Sequence, residues 1–116
     1  MYRIHKNNII TLIRGDSLRL KLDLTMTNAD GDKELWQLEE GDILYFAIME
    51  PNMSFDNAII KKELTYLDYD SGDIYVNLKP EDTVELKPGT YYYSIKVYYD
   101  GILDTIIPNT KFVITE

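Results

Sequence analysis

Carboxylates are the only plentiful chemical groups in this chain of 116 residues, where twenty Asp and Glu stand against twelve Lys and Arg, one histidine and no cysteine. Asp68, Asp70 and Asp73 surround Ser71-Gly72 and mimic the opening of a calcium loop. Such a loop needs glycine at its sixth position and glutamate at its twelfth, and the chain has Asp73 and Lys79 there. A solvated hairpin turn accounts for the same residues. In residues 27–33, Asn28, Asp30 and Asp32 could also gather a cation, yet Asp-Gly within a polar run is an ordinary hairpin connection. Acid–base catalysis by paired carboxylates requires two groups held about 5 to 9.5 Å apart in a cleft, and no spacing here places two of them so. His5 stands beside Lys6 and Asn7 near the start of the chain, where a solvated side chain is expected rather than a base. Ser17, Ser54, Ser71 and Ser94 have no neighbouring base to activate them. Without cysteine there is no disulfide, thiolate nucleophile or thiolate metal site, and one histidine cannot supply a pair. The glycines lie too far apart for a phosphate loop. The expectation is a protein with no catalytic residues, no cofactor and no metal.

The tyrosines are the unusual feature: there are ten, and five fall between Tyr91 and Tyr99. In an extended chain, Tyr91, Tyr93, Ile95, Val97 and Tyr99 share one face and read as core. Tyr92, Ser94, Lys96 and Tyr98 share the other. Tyr92 and Tyr98, joined by Tyr75 on a facing or neighbouring strand, are candidate contact residues, because amphipathic rings suit protein or sugar surfaces. Tyrosines tiling a sheet surface by cross-strand pairing would give the same pattern. Trp36 is either a further contact residue or a lid on the core. Tyr91, two residues after Gly89, has the spacing of a tyrosine corner, whose hydroxyl bonds back across the preceding turn.

The elements that must position these residues are strands. All six glycines and all four prolines fall between apolar-rich runs, and Gly-Asp or Asp-Gly pairs recur at 15–16, 31–32, 41–42, 72–73 and 100–101. Glycine supplies positive φ and aspartate bonds its own nearby backbone, so these pairs read as turns. Between them the period is two. Leu18, Leu20, Leu22, Leu24 and Met26 alternate with Arg19, Lys21, Asp23 and Thr25, giving one dry and one wet face. About eight strands are expected, at residues 9–14, 18–26, 34–38 (weak), 43–50, 58–68, 74–79, 90–100 and 102–115, the last broken at Pro108. Only residues 80–86 read as a short helical turn, opened by Pro80 with Glu81 and Asp82 behind it. Short strands with regular turn signals predict a single all-β domain over residues 1–116, an immunoglobulin-like antiparallel β-sandwich of about seven to nine strands. A small barrel is the rival.

The charge narrows the partners. A formal net charge of -8 is shared evenly, with six basic and ten acidic residues on each side of Ala58. Such a chain repels phosphate backbones, so nucleic acid is not an expected partner. No run is long enough for a membrane span, and residues 9–13 are too short for the apolar part of a secretory signal.

One order of motifs carries further. Gly15-Asp16-Ser17 opens the alternating strand; residues 35–38 and Gly41-Asp42 precede the apolar run Leu44-Tyr45-Phe46-Ala47-Ile48. Gly72-Asp73-Ile74, Leu78-Lys79-Pro80-Glu81-Asp82-Thr83, Leu86, Gly89, Tyr91, Tyr93 and Ile95 follow, then Thr105-Ile106-Ile107 and Phe112-Val113-Ile114. Each motif is mainly a β-turn signature, and together they span nearly the whole chain. In this order the sequence resembles the N-terminal domain of the upper baseplate proteins of phages infecting Gram-positive bacteria, and related prophage tail proteins. The resemblance implies an immunoglobulin-like sandwich serving as a noncatalytic structural or docking module of a virion, assembled in the host bacterial cytoplasm. Its implied partners are other tail or baseplate proteins, with a homo-oligomer as an option. Members usually continue into a longer fibre or receptor-binding part, so a chain ending at Glu116 is expected to be a standalone adaptor or a piece of something longer. The alternative expectation is a carbohydrate-binding or adhesive surface sandwich, using the same tyrosines as stacking platforms. A small carboxylate hydrolase ranks behind both.

Overall fold

A computed structural model of the chain describes residues 2–4, 7–27 and 29–116, with the backbone alone at 2–4 and 26. The alternating runs form ten strands: β1 (Tyr2–Ile4), β2 (Ile10–Ile13), β3 (Leu18–Leu22), β4 (Thr25–Thr27), β5 (Lys33–Leu35), β6 (Ile43–Met49), β7 (Ile60–Leu64), β8 (Ile74–Leu78), β9 (Gly89–Tyr99) and β10 (Ile102–Thr115). One helical turn, α1 (Pro80–Thr83), starts on proline, whose missing N–H costs nothing at a helix start.

Six strands make one sheet in the order β1-β2-β10-β9-β6-β7, and β3 pairs with β8 in a second sheet. The strands β4 and β5 form a small separate hairpin. The inward sides of the two sheets carry the alternating apolar residues. Leu18, Val76 and Leu78 from the small sheet meet Phe46, Tyr93, Ile95 and Phe112 from the large one, all essentially inaccessible to water. Each such side chain contributes about 1.5–3 kcal/mol through burial. The Tyr93 ring sits 5.6 Å from Phe46 and 6.2 Å from Phe112, centroid to centroid, at the middle of the core. The result is an all-β sandwich whose second sheet, among the described residues, has two strands.

The expected elements differ from the observed ones at definite places. The two facing sheets hold eight strands, as expected, and ten are found among the described residues because β1 was not foreseen and residues 18–26 divide into β3 and β4. The pairing is not wholly antiparallel, since β2 runs parallel to the end of β10, with Phe112 opposite Ile10. The leucine run at 18–26 is two strands: alternation continues, but the chain leaves β8 after Leu22 and joins β5 from Thr25. Pro108 does not break the last strand. It lies within a region of register shifts between Ile107 and Thr110, where a ladder hydrogen bond is not required of it. The helical turn stops at Thr83 rather than reaching residue 86. His5 and Asn28 lie outside the described residues.

A candidate interaction surface

The turns absorb the carboxylates one at a time. Ser71 and Gly72 both have positive φ, 52° and 86°, and form the two-residue turn of a tight hairpin closed by Asp70 and Asp73. Asp70 faces Arg19 at 3.4 Å and Asp73 faces Lys21 at 3.5 Å, while Asp68 caps a 3-10 turn by accepting from the Thr65 N–H at 2.7 Å. Asp42 likewise accepts from the Glu39 N–H at 2.9 Å. Among the described residues, no three His, Asp or Glu side chains gather as a metal site.

Asp82 holds a structural position. Its carboxylate accepts from the Lys79 N–H at 2.7 Å and meets Lys62 of β7 at 3.1 Å, tying α1 to the edge of the large sheet. Burial raises the proton affinity of this carboxyl, but the Lys79 N–H, the Lys62 hydrogen bond and the nearby lysine charges outweigh it and hold the pKa below its ordinary value. Next to it, the buried Thr83 hydroxyl accepts from the Gly15 N–H at 3.2 Å and donates to the Asp16 carbonyl at 3.4 Å.

The tyrosines divide between structure and surface. Tyr91 Oη donates to the Lys87 carbonyl at 2.7 Å, across the Pro88-Gly89 turn, which is the geometry of a tyrosine corner. Tyr93 Oη donates to the Asn8 carbonyl at 2.6 Å, and burial pushes its pKa up to about 12. Tyr92 and Tyr98 point outward from the large sheet, but they do not form one platform. Between them Ala47 pairs with Ser94, and both are fully buried on what should be a wet face. Their cover is the chain's own loop after β6. Phe55 meets the Tyr45 ring edge-on at 5.7 Å, with Lys61 Nζ 4.3 Å and Lys96 Nζ 4.7 Å from its ring centre. Those three residues neighbour or pair with Ala47 and Ser94, so the small side chains there make room for the ring. Tyr92 is half-buried beside Pro51, Asn52 and Met53, whereas Tyr98 is exposed and paired with Ile43 and Leu103. Tyr75 does not join them. It lies on the outer side of the opposite sheet under the Arg19 guanidinium, 3.9 Å from the ring centre.

The more continuous open surface is elsewhere. Among the described residues, β2 pairs with residues 112–115 of β10 and not with its first half, which has a strand neighbour on the β9 side alone. Across from that edge, β3 has no strand partner but β8 among the described residues. Two adjoining clefts open between the edges, of about 410 and 290 Å³, sharing Asp23, Leu24 and Ile106 in their walls. Trp36 and Tyr99 line the larger cleft, their rings 5.6 Å apart, and Tyr99 Oη donates to Asp104 at 2.7 Å. That hydrogen bond first, then burial and the charges of Asp104 and Asp100, raise the Tyr99 pKa. Ile102, Leu103 and Ile106 along this half of β10 are 50, 50 and 40% exposed.

Thus Trp36 both packs on the core and lines the cleft, and Tyr99 sits at the core's rim rather than within it. Sequence reasoning missed Phe55, Thr83, Asp23 and Asp104. The Ala47 and Ser94 pair on an outward parity was the available signal for a covering residue. Nothing comparable marks Asp23 or Asp104, because the cleft depends on which strands lack neighbours. Comparison with family models, curated proteins and solved structures finds no match for this chain.

Proposed function

We propose that this chain is a noncatalytic structural module of a phage or prophage virion, working in the tail or baseplate through contacts with other virion proteins. The order of motifs that resembles the upper baseplate proteins supplies the virion context. The observation that carries the contact role is the half-paired strand β10, which presents Ile102, Leu103 and Ile106 beside an open cleft. A sheet edge of this kind is a template for another chain. The individually paired turn carboxylates suit solubility more than catalysis. Assembly would take place in the host bacterial cytoplasm; among the described residues, no helix is long and apolar enough to cross a membrane.

The test is light scattering of the purified chain alone and mixed with tail and baseplate proteins encoded by neighbouring genes. A discrete complex or homo-oligomer is the expected outcome, and a monomer indifferent to all of them would overturn the reading. A carbohydrate-binding module is the second reading, favoured by one arrangement: Trp36 and Tyr99 line a cleft with Asp23 and Asp104, a combination that can stack and hydrogen-bond a sugar. Saturable binding on a glycan array, lost in Trp36→Ala, would establish it instead.

A further inference from the structure

We propose that residues 102–107 of β10 and the adjoining cleft are the docking site for an extended, basic segment of a partner protein, which adds as a strand beside β10. The inference rests on the assembly reading and names the chemistry of the partner. Three observations support it.

The first is backbone chemistry. Residues 102–105 and 107 are paired to β9, and among the described residues no backbone hydrogen bond reaches their other edge. An added strand would satisfy those groups, with side-chain pockets giving specificity.

The second is the shape beside the edge. Alternate side chains of an added strand would enter between the sheets, where Leu22, Leu24, Ile106 and Ile107 form an apolar wall. The β7 edge of the large sheet offers less: its run Ile60, Lys61, Lys62, Glu63 and Leu64 carries three charges, which discourage strand addition.

The third observation, charge, selects the occupant. Asp23 and Asp104 line the larger cleft without any Lys or Arg in its wall, and Asp100 stands at the neighbouring hairpin tip. Asp23 has no ion-pair partner among the described residues. Lys21, in the smaller cleft, already faces Asp73. A second copy, itself carrying -8, would bring like charge to this edge. A segment alternating apolar residues with lysine or arginine would bring the opposite charge.

Trp36 is the only tryptophan and lines the cleft, so its emission reports occupancy directly. The probe is a capped ten-residue peptide alternating lysine and valine. Its controls replace lysine by glutamate or place a proline at the centre. The lysine peptide should change Trp36 emission saturably and slow amide exchange at residues 102–107, with both controls at least about tenfold weaker. Asp23→Asn with Asp104→Asn, which keeps an acceptor for Tyr99, should weaken the lysine peptide about tenfold while leaving the melting curve in place. The same double variant should also weaken any complex with tail proteins.

No saturable response at millimolar peptide would overturn the site. So would equal binding of all three peptides, protection at β7 instead of β10, or competition by oligosaccharides alone. If tail proteins bind wild type and double variant equally, the docking site falls and the assembly reading stands. If the lysine peptide docks as described but no tail protein associates, the site stands and the virion reading falls.

Discussion

A hydroxyl group can decide whether a buried ring is merely apolar or also ties two segments together, and two tyrosines here do the latter. Tyr91→Phe keeps the ring but loses the bond to the Lys87 carbonyl. The expected cost is about 1 kcal/mol, measured as a lower denaturation midpoint with unchanged slope. Tyr93 adds a pH dependence. Its phenol is pushed up from 10.0 to about 12 by burial, so the unfolded chain releases that proton two units earlier than the folded one. Stability from this group is therefore complete below about pH 10 and lost as pH rises to about 12. Relative to wild type, Tyr93→Phe should be weaker at neutral pH, through the lost bond to Asn8, and lose up to about 2–3 kcal/mol less between those limits. Urea titrations near pH 9 and near pH 11 measure the difference; parallel losses in both proteins would sink the assignment. Ser94 runs the other way. Its Oγ is buried beside Ala47 with no hydrogen-bond partner among the described residues, so Ser94→Ala should leave stability unchanged or raise it by up to about 1 kcal/mol.

At the level of elements, the single turn α1 holds because its neighbours anchor it: four residues are too few for a stable isolated helix. Thr83 bonds it to the β2–β3 turn and Asp82 bonds it to Lys62. Since the Asp82 carboxyl is held below its ordinary value of 3.8, its contribution is present above about pH 4 and disappears as acid protonates the folded form. Asp82→Asn should cost about 1–2 kcal/mol at neutral pH and flatten the acid side of the stability curve. Denaturant titrations from about pH 6 to pH 2 compare the two proteins, and identical acid profiles would contradict the role. The strand β6 was legible as an unbroken apolar run buried on both faces. Alternation made β3, β8 and β9 legible, because a period of two reports which side is dry. It cannot report which strand lies alongside, and for that reason the leucine run at 18–26 read as one strand although its pairing changes after Leu22. The two outward tyrosines of β9 were likewise placed on the correct face, while the cover over the middle of that face came from Phe55, a residue in a loop without periodicity.

For the whole molecule, charge and open edges act against each other. The sandwich leaves β10 half-paired and exposes Ile102, Leu103 and Ile106 there, a combination that favours self-association. The net charge of -8 opposes it at neutral pH, since two copies meeting edge to edge must bring Asp23, Asp100 and Asp104 together. This balance was only half legible in the sequence: the acids could be counted, but the missing neighbour of β10 follows from the parallel pairing of β2 with residues 112–115 alone. The repulsion vanishes where the net charge does, which the sequence composition puts near pH 4.5. Light scattering against pH should therefore show reversible association peaking near that value and reduced by Leu103→Lys together with Ile106→Lys. Those substitutions add charge along the edge and leave the buried core residues untouched. Association of equal extent in the variant would mean that another surface meets first, with the Tyr98 and Ile43 side of the large sheet as the next candidate. Added salt separates the two forces at neutral pH: it should screen the repulsion between copies while weakening the attachment of a basic strand. Self-association and lysine-peptide binding should then respond to salt in opposite directions, a result that apolar contact alone would not produce.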